Sequence, residues 1–357
     1  MAHGMDQRTG GGIGHGTDQR TDGGVGHGTG QRTGGGGGMG HSGDEGTAHI
    51  LEVTRGAARE VAAYLREVVR SPVDRDEKED FHDIVTEHDR RAEVIATAAL
   101  RRAFPACTIV GEEHGVQLPG AAGEQGGDTS PALESPALER TGRGGAGVTF
   151  YVDPIDGTSN FVAGMPTFAV SIGASVRREG GERLEVGVVN APLLGHEFYA
   201  ARGMGAWVDS WDADGPVRLG TPWERKASEC LVLTTFPGGS APVYWGSQAM
   251  DVAQELKSEV MSVRGLGTTA IELAFVAAGW ADGTYGTHAG PWDLAAGFVL
   301  VEESGGRLSH AGLLGEDLGE HPWERVGYAA SGPGRELDVL HGTLAGLDGI
   351  ATAKRGA

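Results

Sequence analysis

The stretch Val152-Asp-Pro-Ile-Asp-Gly-Thr-Ser-Asn160 decides how the rest of the chain is read. Asp153 and Asp156 stand three residues apart with Pro154 between them, and the fixed φ of proline makes a stiff turn in which both carboxylates converge. Gly157 and Thr158 follow where a helix can begin, offering backbone N–H groups and a hydroxyl to an anion. Carboxylates beside an anion site repel the anion unless a divalent cation lies between them. Hard oxygen ligands of this kind suit Mg²⁺, which pairs one or two carboxylates with phosphate oxygens and water. Taken alone, Asp-x-x-Asp-Gly also fits a calcium-type turn or a solvated loop, so its surroundings decide.

Working outward, Thr108-Ile-Val110 reads as a short buried strand that runs into Gly111-Glu112-Glu113, with Glu113 a structural neighbour of Glu112. Pro291-Trp292-Asp293 sets another carboxylate at the start of an apolar helix expected over Leu294–Glu303, where Asp293 also suits a helix cap. Three acidic positions at strand-to-helix transitions argue for chemistry over structure. Thr86-Glu-His-Asp89 forms a capping box for a helix through Arg102, stopped by Pro105. Ile50, Val53, Ala57, Val61, Leu65 and Val68 recur at helical spacing before it. Strands are expected at Val148–Val152, Phe168–Val176, Leu184–Asn190 and His196–Ala201, a β-rich half with antiparallel character. Leu231–Thr235 and Met261–Arg264 add strands, and Thr269–Ala278 adds a helix. Sheets alternating with helix pairs make an α/β or α+β layered sandwich.

The flanks carry the compositional bias. Of 63 glycines in 357 residues, 19 lie in residues 1–46, where Asp6–Thr17 and Asp18–Thr29 repeat each other. A repeat with so little apolar surface cannot offset chain entropy, so 1–46 is expected to be a disordered tail, with His3, His15, His27 and His41 a lesser case for metal capture. The catalytic domain is expected over 47–340, divided near 220, with a low-complexity loop at 115–147 and a C-terminal tail at 341–357. Residues 1–46 carry −2 of the formal −20 charge, leaving −18 on the body. That excludes broad nucleic-acid or anionic-membrane binding, both of which need Lys/Arg-rich surface. Cys107 and Cys230 are isolated, and neither a membrane span nor the apolar stretch of a signal peptide is evident, so a cytoplasmic location is expected.

Gly111-Glu112-Glu113, Asp153-Pro-Ile-Asp156-Gly-Thr158-x-Asn160-Phe161 and Pro291-Trp292-Asp293, in this order, resemble the three metal-binding motifs of the inositol monophosphatase family of Mg²⁺-dependent, lithium-sensitive phosphatases. Val188-Val189-Asn-Ala-Pro and Gly203-x-Gly205-Ala206-Trp207 support the likeness, which covers about residues 48–335. It implies a five-layer α-β-α-β-α sandwich with the site between the two sheet regions. It also implies that Glu112, Asp153 and the carbonyl of Ile155 bind a first Mg²⁺, that Asp153, Asp156 and Asp293 share a second, and that Glu112 helps hold a weaker third. Gly157 and Thr158 would present N–H groups to the phosphate. Asp89 matches the buried aspartate that orients the threonine hydroxyl, and Lys78 matches a lysine on the loop before it, in a charged run that equally suits a solvated face. The reaction implied is in-line attack by a metal-activated water on a small phosphate ester.

The polyol-contacting segment of the family corresponds to Arg264-Gly-Leu-Gly-Thr268-Thr269, so Gly267, Thr268 and Thr269 are the implied substrate contacts, with an ordinary helix cap as the other reading. Inositol-specific members carry an acidic residue where this chain has Gly286. The expected substrate is myo-inositol 1-phosphate, with histidinol phosphate, a sugar bisphosphate and 3′-phosphoadenosine phosphate as alternatives. Homodimers are common in the family. A catalytically idle binding scaffold is the reading from a different class, and the full set of matched carboxylates argues against it.

Overall fold

A computed structural model describes residues 41–70, 75–77, 84–120, 147–238, 241–313, 319 and 321–355. Lys78, residues 1–40 and residues 121–146 of the expected loop lie outside the described residues.

The strand Val148–Asp156 is buried along nearly its whole length because both of its faces are covered. It belongs to an eight-stranded sheet made of β1 (Thr108–Gly111), β2 (Gly115–Gln117), β3 (Val148–Asp156), β4 (Ala169–Arg178), β5 (Gly181–Ala191), β6 (His196–Ala201), β7 (Gly205–Ser210) and β8 (Val217–Arg218). Its spatial order is β8-β7-β6-β5-β4-β3-β1-β2. All neighbours are antiparallel except β1 and β3, which run parallel and so deliver Glu112 and Asp153 to the same sheet end. A second sheet contains β9 (Leu231–Leu233), β10 (Ser262–Arg264), β11 (Gly283–Gly286), β12 (Arg307–Ala311) and β13 (Gly327–Ser331), ordered β10-β9-β11-β13-β12.

Helices fill the three remaining layers. One face of the large sheet is covered by α1 (His41–Val68) and α2 (Glu87–Ala103), whose buried residues include Ala58, Val61, Leu65, Ala92, Ala96 and Leu100. Short α3 (Thr158–Ala163) leaves the end of β3. On the outer face of the second sheet lie α4 (Ser247–Glu259) and α7 (Asp338–Arg355). Between the sheets lie α5 (Thr269–Ala278) and α6 (Pro291–Glu303), giving the five-layer α-β-α-β-α sandwich.

Glycine makes the central layer thin. A Cβ at Gly173 on β4 would stand 2.5 Å from Cβ of Ala295, and one at Gly187 on β5 would stand 2.2 Å from the carbonyl oxygen of Ala296. The backbone of α6 therefore rests directly on the sheet, which brings Asp293 at its start to the end of β3. Ser171 Oγ donates to the Trp292 carbonyl at 3.0 Å and fixes that approach.

Three expectations at the flanks are corrected. The first helix opens at His41, inside the stretch 1–46 expected to be tail. Gly115–Gln117, expected to be loop, pairs with β1 as a strand. Residues 341–355, expected to be tail, lie in α7, where Leu340, Leu344 and Leu347 are buried at helical spacing against the second sheet. No helix among the described residues is long and apolar enough to cross a membrane, and Cys107 and Cys230 are both free and buried.

Candidate metal and phosphate site

The end of β3 is irregular, and the irregularity makes the site. Asp153 pairs with Ser171 and Asp156 with Ala169, so one residue more is accommodated on β3 than on β4 between those pairs. Such a bulge bends the strand and re-aims its side chains, and Pro154 removes an N–H from the ladder at that point. The Ile155 N–H donates to Asp153 Oδ1 at 2.9 Å, closing the turn over the first carboxylate. Thr268 Oγ1 and the Ala270 N–H donate to Asp156 Oδ2 at 2.5 and 2.6 Å, reaching across from the start of α5. Asp293 is the third residue of α6 and accepts from the Gly290 N–H at 2.7 Å. It therefore reaches back to cap its helix while its carboxyl faces the other two.

One ligand oxygen from each of Asp153, Asp156 and Asp293 lies within 4.8 Å of the others. Burial and mutual repulsion act on all three. Asp153 is pushed well above the usual carboxylate range, by burial first and then by the charges of Glu112, Asp156 and Asp293. Asp293 rises to about 8 and Asp156 to about 6, each again chiefly through burial. Asp153 and Asp293 act directly on each other, so ionising both at once is costly unless a positive charge lies between them. Among the described residues no ion pair links these three to Lys or Arg. Two buried carboxylates and a half-buried third with no cationic partner are the arrangement that a divalent cation satisfies, and an all-oxygen donor set suits a hard cation. The residues present fit a metal ion.

Glu112 stands outside this tightest group, but its charge acts on Asp89, Asp153, Asp156 and Asp293 alike. Its N–H donates to the Val152 carbonyl at 3.2 Å, so it is tied to β3 one residue before Asp153.

Gly157 adopts φ +88° and caps α3, a conformation that favours glycine. A Cβ there would press on the carbonyl oxygens of Thr167 and Gly267, at 3.2 and 3.3 Å. The first N–H groups of α3 have no partner within the helix. Thr158 Oγ1 lies 3.1 Å from Asp89 Oδ1, and Asp89 is fully buried with a pKa raised by burial to about 6. Asp89 also accepts from the Thr86 N–H at 2.8 Å and the Thr86 hydroxyl at 2.5 Å, so the capping box and the contact to Thr158 coexist on one carboxylate.

The implied substrate segment is an exposed turn at Gly267, φ +73°, followed by the N-cap Thr268 and then Thr269. The Thr268 hydroxyl is committed to Asp156, which leaves the backbone at Gly267 and Thr269 as the accessible part. Two residues left without a role by the sequence pattern, Asn160 within the motif and Glu272 outside it, hold this turn. Asn160 Nδ2 donates to the Leu266 carbonyl at 2.8 Å and to the Thr167 carbonyl at 2.6 Å. Glu272, raised by burial to about 7, accepts from the Leu266 N–H at 2.9 Å and from Thr284 Oγ1 at 3.1 Å. Helical spacing was the available signal for Glu272, one turn after Thr268. At Gly286 the space for a side chain is taken: a Cβ would lie 2.5 Å from Tyr328 Cε1, because the two residues are register partners across β11 and β13.

The chain is similar to known proteins over the whole of this framework. The family model described as "Inositol monophosphatase family" matches residues 47–343. A Nus factor SuhB from Pseudomonas aeruginosa is 31% identical over 296 residues, 83% of this chain and 95% of that protein. An inositol-1-monophosphatase from Caulobacter vibrioides is 30% identical over 260 residues, 73% of this chain and 87% of that one. Among solved structures, SuhB from Bartonella henselae superposes with a TM-score of 0.60 at 26% identity, over 85% of this chain and 98% of that one. The Thermotoga maritima IMPase superposes with a TM-score of 0.61 at 24% identity, over 87% and 99%. On this evidence the chain belongs to the inositol monophosphatase family.

Proposed function

We propose that the protein is a Mg²⁺-dependent phosphomonoesterase acting on a small polyol phosphate, with myo-inositol 1-phosphate as the first candidate. The observation that carries this reading is the convergence of Asp153, Asp156 and Asp293 oxygens within 4.8 Å, beside the start of α3 and the Asp89–Thr158 pair. Asp153, Asp156, Asp293, Glu112 and the Ile155 carbonyl are the groups that would hold two Mg²⁺ ions, with a third bound more weakly. Bound there, Mg²⁺ would neutralise phosphate oxygens, lower the pKa of water and stabilise a departing alkoxide.

The chain's own residues supply the orientation. The Gly157 and Thr158 N–H groups are offered to phosphate oxygens. Asp89 draws the Thr158 hydroxyl proton toward itself, which leaves the threonine oxygen free to accept from an attacking water. Positioning and electrostatics suffice for in-line phosphoryl transfer, so no covalent nucleophile is required. Gly267 and Thr269 would offer main-chain groups to the hydroxyls of the leaving group. The −18 on the body is then partly a metal cage, and it gives a nucleic-acid polymer little to hold.

A phosphate-release panel with Mg²⁺ tests the reading, comparing myo-inositol 1-phosphate with histidinol phosphate and then a sugar bisphosphate and 3′-phosphoadenosine phosphate. Turnover of another ester with inositol phosphate untouched removes the substrate and keeps the class. Release that survives both EDTA and Asp153→Asn removes the class.

A further inference from the structure

The carboxylate of Glu93 is fully buried on α2, one helical turn beyond Asp89 and on the same face. It reaches the hairpin between β1 and β2, the segment that carries Glu112. Oε2 accepts from the Glu113 N–H at 2.8 Å. Oε1 accepts from Gln117 Nε2 at 2.9 Å and lies 2.9 Å from His114 Nδ1. Gly111 makes room for this: a Cβ there would stand 2.3 Å from Glu93 Cδ and Oε1. The carboxylate thus occupies the place of the missing side chain before Glu112 and grips the turn just after it.

We propose that Glu93 is a positioning residue for the metal site, holding the Glu112 turn in register with Asp153 from below while the Glu112 N–H to Val152 carbonyl bond holds it from the side. The proposal rests on the phosphatase reading above. On this view α2 organises the site twice. Asp89 sets the hydroxyl of Thr158, and Glu93 sets the backbone that aims Glu112.

A purely structural clamp would affect folding and leave metal affinity alone. The test therefore measures Mn²⁺ binding to substrate-free protein by electron paramagnetic resonance, together with the Mg²⁺ dependence and KM of phosphate release. Glu93→Gln keeps the shape but turns one acceptor into a donor facing donors. It is expected to weaken Mn²⁺ binding and raise the half-saturating Mg²⁺ by about tenfold or more, with KM at saturating Mg²⁺ within about twofold of the parent. His114→Ala combined with Gln117→Ala removes two of the partners from the more exposed side, so it tests the same clamp if Glu93→Gln does not fold. It is expected to shift Mn²⁺ binding by about threefold or more in the same direction. Unchanged Mn²⁺ affinity in the folded variants, with normal binding by the parent protein, overturns the role of Glu93 alone. A parent protein that binds no Mn²⁺ overturns the metal reading itself, and this proposal with it.

Discussion

Thr158 Oγ1 stands 3.1 Å from Asp89 Oδ1 and 3.1 Å from the carbonyl oxygen of Ile155, and its one proton serves a single acceptor at a time. The direction of that proton decides whether the threonine oxygen can accept from water. Asp89→Asn puts an amide where the carboxylate was and weakens the pull on the hydroxyl. It is expected to lower kcat by about 10²-fold or more with KM little changed, and Thr158→Ala by a similar factor. Thr158→Ser, which keeps the hydroxyl, should retain most of the rate. Steady-state kinetics on the three variants check this, and equal rates in Asp89→Asn and the parent would remove the orienting role.

Asp153→Asn separates the metal from the fold. The neutral side chain removes one member of a repelling buried trio, so the metal-free variant is expected to melt at or above the parent's temperature. The parent alone should gain from Mg²⁺, by about 2.7 kcal/mol at a concentration a hundred times Kd. Thermal melts with EDTA and with Mg²⁺ give both quantities. A variant that melts lower in EDTA yet keeps the Mg²⁺ gain contradicts the argument on both counts.

The same repulsion sets a pH dependence. In metal-free protein the folded state holds protons that the unfolded chain has released: Asp89 and Asp156 titrate at about 6, Glu272 at about 7 and Asp293 at about 8, against 3.8 for Asp and 4.5 for Glu. Their contribution is fully present below about pH 4 and is lost as the pH rises through 6 to 8. Melting temperature in EDTA is therefore expected to fall from pH 5.5 to pH 8. Saturating Mg²⁺ should flatten that slope, since a bound cation favours the ionised carboxylates. A metal-free protein equally stable at both pH values would show that these carboxyls do not titrate as the buried geometry demands.

Much of this was legible in the sequence where a local pattern carried the information. His196–Ala201 and Thr269–Ala278 have the boundaries expected from alternation, helical spacing and capping. Asp153, Asp156, Gly157 and Thr158 stand out in the sequence because they fall within one turn. What the sequence concealed depends on partners distant along the chain. Glu93 looks like any helical glutamate until the β1–β2 hairpin folds over it. Gly173 and Gly187 look like weak points in strands until α6 is laid on them. The helix at Asp338–Arg355 was masked by Gly342, Gly346 and Gly349, which dilute an otherwise regular leucine spacing.

That last helix yields a stability prediction. Leu344 is buried in the core that α7 shares with the second sheet and α4, and His341 on the same helix bridges Ser309 and Ser331 of that sheet. Leu344→Ala is expected to cost about 2–5 kcal/mol, as for other buried leucines. A surface change such as Glu336→Gln should cost almost nothing. Chemical denaturation measures the difference, and a loss under about 0.5 kcal/mol for Leu344→Ala would mean that the segment does not pack as described.

Gly286 and Tyr328 bear on specificity. A Cβ at 286 would meet the tyrosine ring at 2.5 Å, so the acid that the family resemblance implies for inositol-specific members has no room here while Tyr328 is present. Gly286→Ala alone is expected to cost about 1–3 kcal/mol, by overpacking against a ring that is almost fully buried. Tyr328→Ala alone leaves a cavity and costs about 3–5 kcal/mol. Combining Gly286→Glu with Tyr328→Ala should cost less than the sum of the two separate changes, because the new side chain enters the space that the ring leaves. The double variant should also have a lower KM for myo-inositol 1-phosphate than Tyr328→Ala, since it restores a carboxylate for a ring hydroxyl. Strictly additive stabilities would show that the two residues do not compete for one space, and the departure at Gly286 would then need another cause.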